Sequence, residues 1–445
     1  MSLEKVKEWL HDKDLLTRWM NNLLVVYTFL LPISASYKAK VFVVILILFI
    51  LRGNIVQYIK EALRNSVVRA FLYLFLIYAV GLLWTDNVKH GLEVLKSVKY
   101  GLYLIIFYSF VDGRYISKII SAFIFGMLLS ELLSYGMILG LLPWNLDIGG
   151  VVVYHAYAVG DPSPFLHHIH YSVALAFVVL LLGQRIIYSN YSKLVKILMS
   201  LFVVTATLNI FYTGGRTGYV TFVLLLLVLA VSYLRKYILA IVVAVPLVFS
   251  FAYFNSKIFA AKVTETQKSV QELFKEEPNF NTSIGQRVGL YRYAWEVIKE
   301  HPLFGVGTGD SMDEIEKKVP KKYIGICSMP HEHNQFLSVL VALGIVGLLV
   351  FLNIYYQIFK YRQPDRELRF IMIVATLAIT SGVLTTQFNL RFFMPLWAVM
   401  LAISLIDKSR RTISKEIDDK KVNREIILTT ILFYVGGSLW KYKLH

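Results

Sequence analysis

The chain has 445 residues, 57% hydrophobic and 17% charged, with 46 lysines and arginines against 29 aspartates and glutamates for a net charge of +17. Such a composition is too apolar for a soluble domain. The basic residues are dispersed among short polar segments rather than gathered in a patch, which argues against nucleic acid as a partner, and the single cysteine, Cys327, can form no internal disulfide.

Lys5, Lys7, Lys13 and Arg18 precede the first apolar run without a cleavable signal pattern, which predicts a cytoplasmic tail before an uncleaved span. About 20 apolar residues cross a bilayer core. About twelve such runs follow, at residues 20–36, 39–51, 66–84, 92–111, 116–142, 166–184, 193–212, 217–234, 237–254, 334–359, 369–388 and 392–407, the second and last being short. Leu, Val, Ile and Phe occupy all positions in them, so they are predicted helices, not barrel strands. A further run, Ile426 to Trp440, is amphiphilic and is expected to lie on the membrane. The expected fold is therefore an all-α polytopic membrane protein. Residues 1–254 hold helices one to nine, 255–333 form a large, partly helical loop domain, 334–407 hold helices ten to twelve, and 408–445 form a basic tail.

Lys and Arg in short loops set orientation. Arg52, Lys60, Arg64 and Arg69, then Arg185, Lys193 and Lys196, then Lys360, Arg362, Arg366 and Arg369, fall on one side with the C-terminal tail, which carries Lys408, Arg410 and Arg411. Both termini are thus expected in the cytoplasm and the loop at 255–333 outside it. The basic charge also favours anionic membrane lipids.

Within the fourth run, Lys96 and Lys99 share a helix face, with Lys89 two turns earlier. Glu131 in the fifth run lies at a depth similar to Lys99, counted at about 1.5 Å per residue. Intramembrane charges usually pair and serve function, so a Lys99–Glu131 ion pair lining a cavity is expected, with Lys99 a candidate binding residue. The sixth run opens on Pro164-Phe165-Leu166-His167-His168-Ile169-His170-Tyr171, which reads either as an interfacial aromatic belt or as a site in which His170 is the residue to choose.

Arg216 lies in Thr213-Gly214-Gly215-Arg216-Thr217-Gly218, the short turn between the seventh and eighth runs. In the loop domain, Lys262 to Glu277 has helical composition, and Gln286 to His301 places Val288, Tyr291, Ala294 and Ile298 at helical spacing. Arg287 opens that second segment, which ends at Pro302 and the Gly305-Val306-Gly307-Thr308-Gly309 run. This glycine run follows no buried strand, so it reads as a tight turn, not a nucleotide loop. Asp310, Asp313 and Glu314 are the carboxylates that suggest a metal, but they sit in a charged helical stretch, and neither metal nor cofactor is expected. Pro330-His331-Glu332-His333-Asn334 then leads into the tenth run. Pro330 suits a first helical turn, and the dipole there keeps a histidine neutral and welcomes phosphate. On a helix, His331 and His333 would point to nearly opposite sides.

From His333 the spacing is His-Asn, nine residues, Gly344, two residues, Gly347. Together with Arg216 and the Arg287-to-Gly307 segment, this resembles the O-antigen ligases and the related O-antigen polymerases and protein oligosaccharyltransferases. The resemblance covers the helix arrangement, the large loop and these three motifs, but not the basic tail. It implies a GT-C-like glycosyltransferase of the bacterial inner membrane with its site facing the periplasm. In that role Arg216 and Arg287 engage the diphosphate of an undecaprenyl-diphosphate-linked glycan donor, His333 acts as base, and lipid A–core is the acceptor. His331 and Asn334 fall beside it as binding residues, and the family spacing selects His333 over His331. A polymerase using the same site, and a lipid-linked-sugar flippase or transporter, are the alternatives. No paired broken helices mark an inverted-repeat transporter.

Overall fold

A computed structural model describes residues 12–144, 146–148, 151–153, 161–387 and 392–406. The amphiphilic run at 426–440, the basic tail and most of the N-terminal tail lie outside the described residues.

The protein is an all-helical, polytopic membrane protein; the one strand pairing among the described residues joins Asp147–Ile148 to Val151–Val152. Helix α1 (Lys13–Leu30) is capped by the Asp12 carboxylate. It is followed by α2 (Ala35–Leu51) and the short α3 (Ile55–Ala62), bent by 112° from it. Then come α4 (Ser66–Val80), α5 (Val88–Val98), α6 (Tyr103–Phe110) and α7 (Ile116–Ile138), with α8 (His168–Tyr188), α9 (Lys193–Tyr212), α10 (Arg216–Tyr233) and α11 (Ile238–Asn255) after them. Polar sequence supplies α12 (Lys257–Leu273), α13 (Ser283–Glu300), α14 (Ser311–Lys318) and α15 (Ile324–Cys327) before the bundle resumes with α16 (Gln335–Lys360), α17 (Arg366–Val383) and α18 (Phe393–Ser404).

Among the described residues, seven helices are long and apolar enough to cross a membrane, or eight if α2 and α3 form one bent span. The expected fourth span is not one helix. A 3-10 turn over Lys99–Leu102 separates α5 from α6, and Lys99 sits in that turn, exposed, its Nζ 5.9 Å from the Tyr100 ring centroid. Glu131 is buried in α7. The Lys99–Glu131 ion pair therefore does not form: the break turns Lys99 away from the register that a continuous helix would give it.

Of the three apolar clusters among the described residues, two organise the site, the third being a small one around Met137, Val153 and Phe165. The larger lies between the membrane helices, with Trp397, Phe71 and Phe177 fully buried. A smaller one gathers Phe280, Leu290, Ala294, Val297, Ile315 and Ile326 within the loop domain and closes on Val341 of α16. The alternation of apolar residues along α13 is thus spent on the domain's own core.

The glycine run at 305–309 does more than turn. Helix α16 breaks at Gly344, whose φ of 62° is left-handed. The loop docks into that break: the amides of Val306 and Gly307 donate to the Val341 and Ala342 carbonyls at 3.0 and 2.9 Å, and the Ile345 amide donates to the Pro302 carbonyl at 2.9 Å. A side chain at Gly344 would overlap the Leu303 carbonyl. Gly344→Ala is therefore expected to lower the melting temperature of the purified protein, with left-handed strain alone worth about 1–3 kcal/mol; an unchanged melting curve would show that the loop does not need the break. Downstream, the Asp310 carboxylate accepts from the Asp86 and Asn87 amides at 2.8 and 2.7 Å, and Asp313 accepts from the Asn87 carboxamide at 3.0 Å. These carboxylates tie the loop domain to the start of α5.

Candidate functional site

Three helix N-termini meet the loop domain at one end of the bundle: α8 at His168, α10 at Arg216 and α16 at Gln335. The glycines of the Arg216 turn let two of them touch. A Cβ on Gly218 would overlap Ser172, and one on Gly215 would come within 2.7 Å of the His168 carbonyl. Small residues here press the start of α10 onto the start of α8. The Asp161 carboxylate fills the seam, accepting from the Ser163 hydroxyl at 2.9 Å and the Gly214 amide at 3.1 Å, with His168 Nδ1 at 3.5 Å.

Helix α13 carries the connection between the motifs. The Thr282 hydroxyl caps it, and Ser283, Arg287 and Tyr291 follow at four-residue spacing on one face. Ser283 Oγ accepts from Arg216 at 3.1 Å, and the Tyr291 hydroxyl donates to the His333 carbonyl at 3.4 Å. The stripe spans about 12 Å along the helix axis, with Arg287 midway. One helix face thus lines up Arg216, Arg287 and His333, three residues far apart in sequence. A second strut comes from the chain after α17: the Thr217 and Thr385 hydroxyls are 2.6 Å apart, and the Thr385 main chain acts on the His333 imidazole.

The two arginines differ. Arg216 is bound to Glu265 at 2.8 Å and to Thr266 at 3.1 Å, and Glu265 is shared with Lys262 at 2.8 Å. Arg287 is half-buried, and no carboxylate pairs with it among the described residues; burial and then repulsion from Arg216 pull its pKa below the usual guanidinium value. A desolvated, uncompensated cation is costly, and an anionic ligand would relieve it.

The histidines depart from a helical reading. Pro330 lies outside α16, which is capped by the Asn334 side chain accepting from the Phe336 and Leu337 amides at 3.0 and 3.3 Å. The Asn334 oxygen thereby caps the helix start. His333 has a left-handed φ of 52°, a region that few residues other than glycine adopt and that is frequent at functional sites. That turn brings the His331 and His333 rings to 4.2 Å instead of pointing them apart, and the His333 amide donates to His331 Nδ1 at 3.1 Å. Nδ1 of His333 is buried with no hydrogen-bond partner among the described residues. With the proton on the other nitrogen, it presents an unused lone pair. Burial, then Arg287, push His333 down to about 4, opposed by the Thr385 main chain; burial, then His333 and Arg287, push His331 down to about 3. Both imidazoles are neutral at pH 7.

His170 is not in an exposed belt. It is 2% exposed, with Phe393 4.5 Å away, while His168 faces Asp161. Lys99 makes no contact with the cluster among the described residues. Residues that the sequence reading did not single out are Asp161, Lys262, Glu265, Ser283, Glu332 and Gln387. Of these, only Ser283 carried a signal, its four-residue spacing from Arg287 and Tyr291.

An uncharacterized protein of Haemophilus influenzae is 26% identical over 254 residues, covering 54% of this chain and 63% of the relative, so the chain spans less than two-thirds of that relative's length. Residues 201–352 match the O-antigen ligase family model, a stretch running from α9 through Arg216, the loop domain and His333 into α16 beyond Gly347. The chain thus carries, over residues 201–352, a domain similar to the O-antigen ligase family.

Proposed function

We infer that the protein is an O-antigen ligase of the bacterial inner membrane, moving a glycan from undecaprenyl diphosphate to a sugar hydroxyl of lipid A–core at the periplasmic face. The observation that carries this reading is the α13 stripe, which aligns a base with two arginines. Arginine stays charged and binds phosphate oxygens through paired hydrogen bonds. Arg287, and behind it Arg216, would hold the donor's diphosphate near the helix N-termini, which add to the positive field. His333 Nδ1 takes the proton of the acceptor hydroxyl. The oxygen attacks the anomeric carbon from the face opposite the diphosphate, the bond from that carbon to the diphosphate oxygen breaks, and lipid diphosphate leaves with the electron pair. Configuration inverts. The arginines neutralise the charge that develops on the leaving group. Asp310 and Asp313 are engaged by the α5 start, which supports charge neutralisation by arginine instead of by a carboxylate-held metal.

A strain lacking the protein tests the acceptor. Ligase activity predicts accumulated unattached polymer beside bare lipid A–core; lipopolysaccharide carrying a single repeat would instead identify a polymerase.

The pH dependence follows from the imidazole environment. With His333 at about 4 in the free protein, kcat/KM is expected to stay flat from pH 8 to 5 and fall only below that, since this profile reports the free enzyme's base. Bound diphosphate offsets Arg287 and raises the imidazole pKa, so the acid limb of kcat should lie at higher pH. Stability runs in the same direction: the unfolded chain binds protons below about pH 6.5 while the buried imidazoles do not, so stability falls as pH drops through that value. A kcat/KM limb centred near 6.5 would contradict the burial of the base.

A further inference from the structure

His331 also lines a cavity of about 210 Å³ between α4, α5, α14 and the start of α16, which Arg287 does not line, the space of roughly seven liquid waters. Its polar lining is of another kind from the arginine cluster. Glu93, Glu332, Gln335, Gln387, Ser338 and Tyr78 face it, and no lysine or arginine lines it among the described residues. Two carboxylates without a cation would repel a phosphate. Carboxylates, amides and hydroxyls around one small volume suit the hydroxyls of an uncharged sugar ring, each of which both donates and accepts.

Glu332 makes this a built site. It is 1% exposed; one carboxylate oxygen accepts from the Gln387 carboxamide, and the other, Oε1, is buried with no hydrogen-bond partner among the described residues. Neighbours hold the lining rigid. Gln387 Nε2 also donates to Ser338 Oγ at 2.7 Å, and Gln335 Nε2 donates to the Tyr78 hydroxyl at 3.0 Å. An orphaned buried acceptor is costly unless a ligand donor completes it. His331 is shared: it lines the cavity and packs against His333.

We propose that this cavity is the acceptor subsite, binding one neutral pyranose ring of the core, with Glu332 accepting from a ring hydroxyl and turning a neighbouring hydroxyl past His331 toward His333. This rests on the ligase reading for the identity of the acceptor, while the cavity's preference for a neutral sugar stands on its own lining.

The test is direct binding of the deacylated core oligosaccharide from the host's lipopolysaccharide to the purified full chain without donor, alongside steady-state transfer with both substrates. Glu332→Gln keeps shape and removes the charged acceptor. It should weaken oligosaccharide binding and raise the acceptor KM by about ten- to a hundredfold, the range for a hydrogen bond to a charged group, with affinity for the lipid-diphosphate donor unchanged. Gln387→Ala should give a smaller loss of the same kind. Wild-type binding that Glu332→Gln leaves intact, absence of wild-type binding, or a Glu332→Gln defect confined to donor affinity each overturns the subsite. Binding lost in Glu332→Gln by a wild-type protein that transfers nothing would retain the subsite and remove the ligase reading.

Discussion

Replacing His333 by alanine is expected to lower the transfer rate by about 10²–10⁴, the contribution of a positioned general base, while the protein still inserts and melts near the wild-type temperature. The reasons are local. His333 sits in a left-handed turn whose strain arises at Cβ, and alanine keeps that Cβ, so the substitution leaves the backbone cost largely as it was. It lies outside α16, whose cap belongs to Asn334. Its carbonyl, which Tyr291 engages, is retained in any substitution. Donor affinity should change little, so the loss should appear in kcat. His331→Ala separates the two rings: it removes the acceptor for the His333 amide and should cost less, unless His331 is itself the base, in which case the order of the two losses reverses.

Arg287→Ala should cost about 10²–10³ in kcat, the scale for removing one preorganised charge-stabilising group, and should weaken donor binding as well. Stability should move the other way or not at all, because the variant removes a desolvated cation that no carboxylate offsets. A second signature accompanies the loss. Arg287 helps hold His333 down, so without it the acid limb of kcat/KM should shift upward. Arg287→Lys keeps the charge but not the paired geometry and should recover only part of the rate. Arg216→Ala should be milder, since Glu265 already engages that guanidinium. Equal losses for the two arginines, or an Arg287→Ala protein that melts far below wild type, would assign Arg287 a structural role.

Residue type and motif spacing made much of this site legible in the sequence. Arginines and a histidine in short polar segments beside apolar helices announce themselves, and the periodicity of α13 was readable from its apolar positions. What escaped depends on backbone geometry or on distant partners. Nothing in Pro330 to Asn334 signals that His333 turns left-handed, and that turn decides how the two imidazoles meet. Depth counting failed for Lys99 because it assumes a straight helix, and the 3-10 turn at Lys99–Leu102 removes that assumption. Gly344 sits inside an unbroken apolar run, so the break it creates is invisible until the 302–307 loop is seen donating and accepting across it. Nothing in Pro330 to Asn334 marks Glu332 as buried, and its hydrogen-bond partner Gln387 lies 55 residues away. The apolar pattern locates helices well and their ends poorly, and this site is made of helix ends.

Reconstituting the purified protein in liposomes with a labelled polyprenyl-diphosphate-linked glycan and lipid A–core probes the alignment of base and arginines most directly. The predicted result is glycosylated lipid A–core with equimolar release of polyprenyl diphosphate, reduced at least a hundredfold in both His333→Ala and Arg287→Ala on the scales given above. Movement of the labelled lipid across the bilayer with no sugar transferred, or full transfer by either variant, would contradict it.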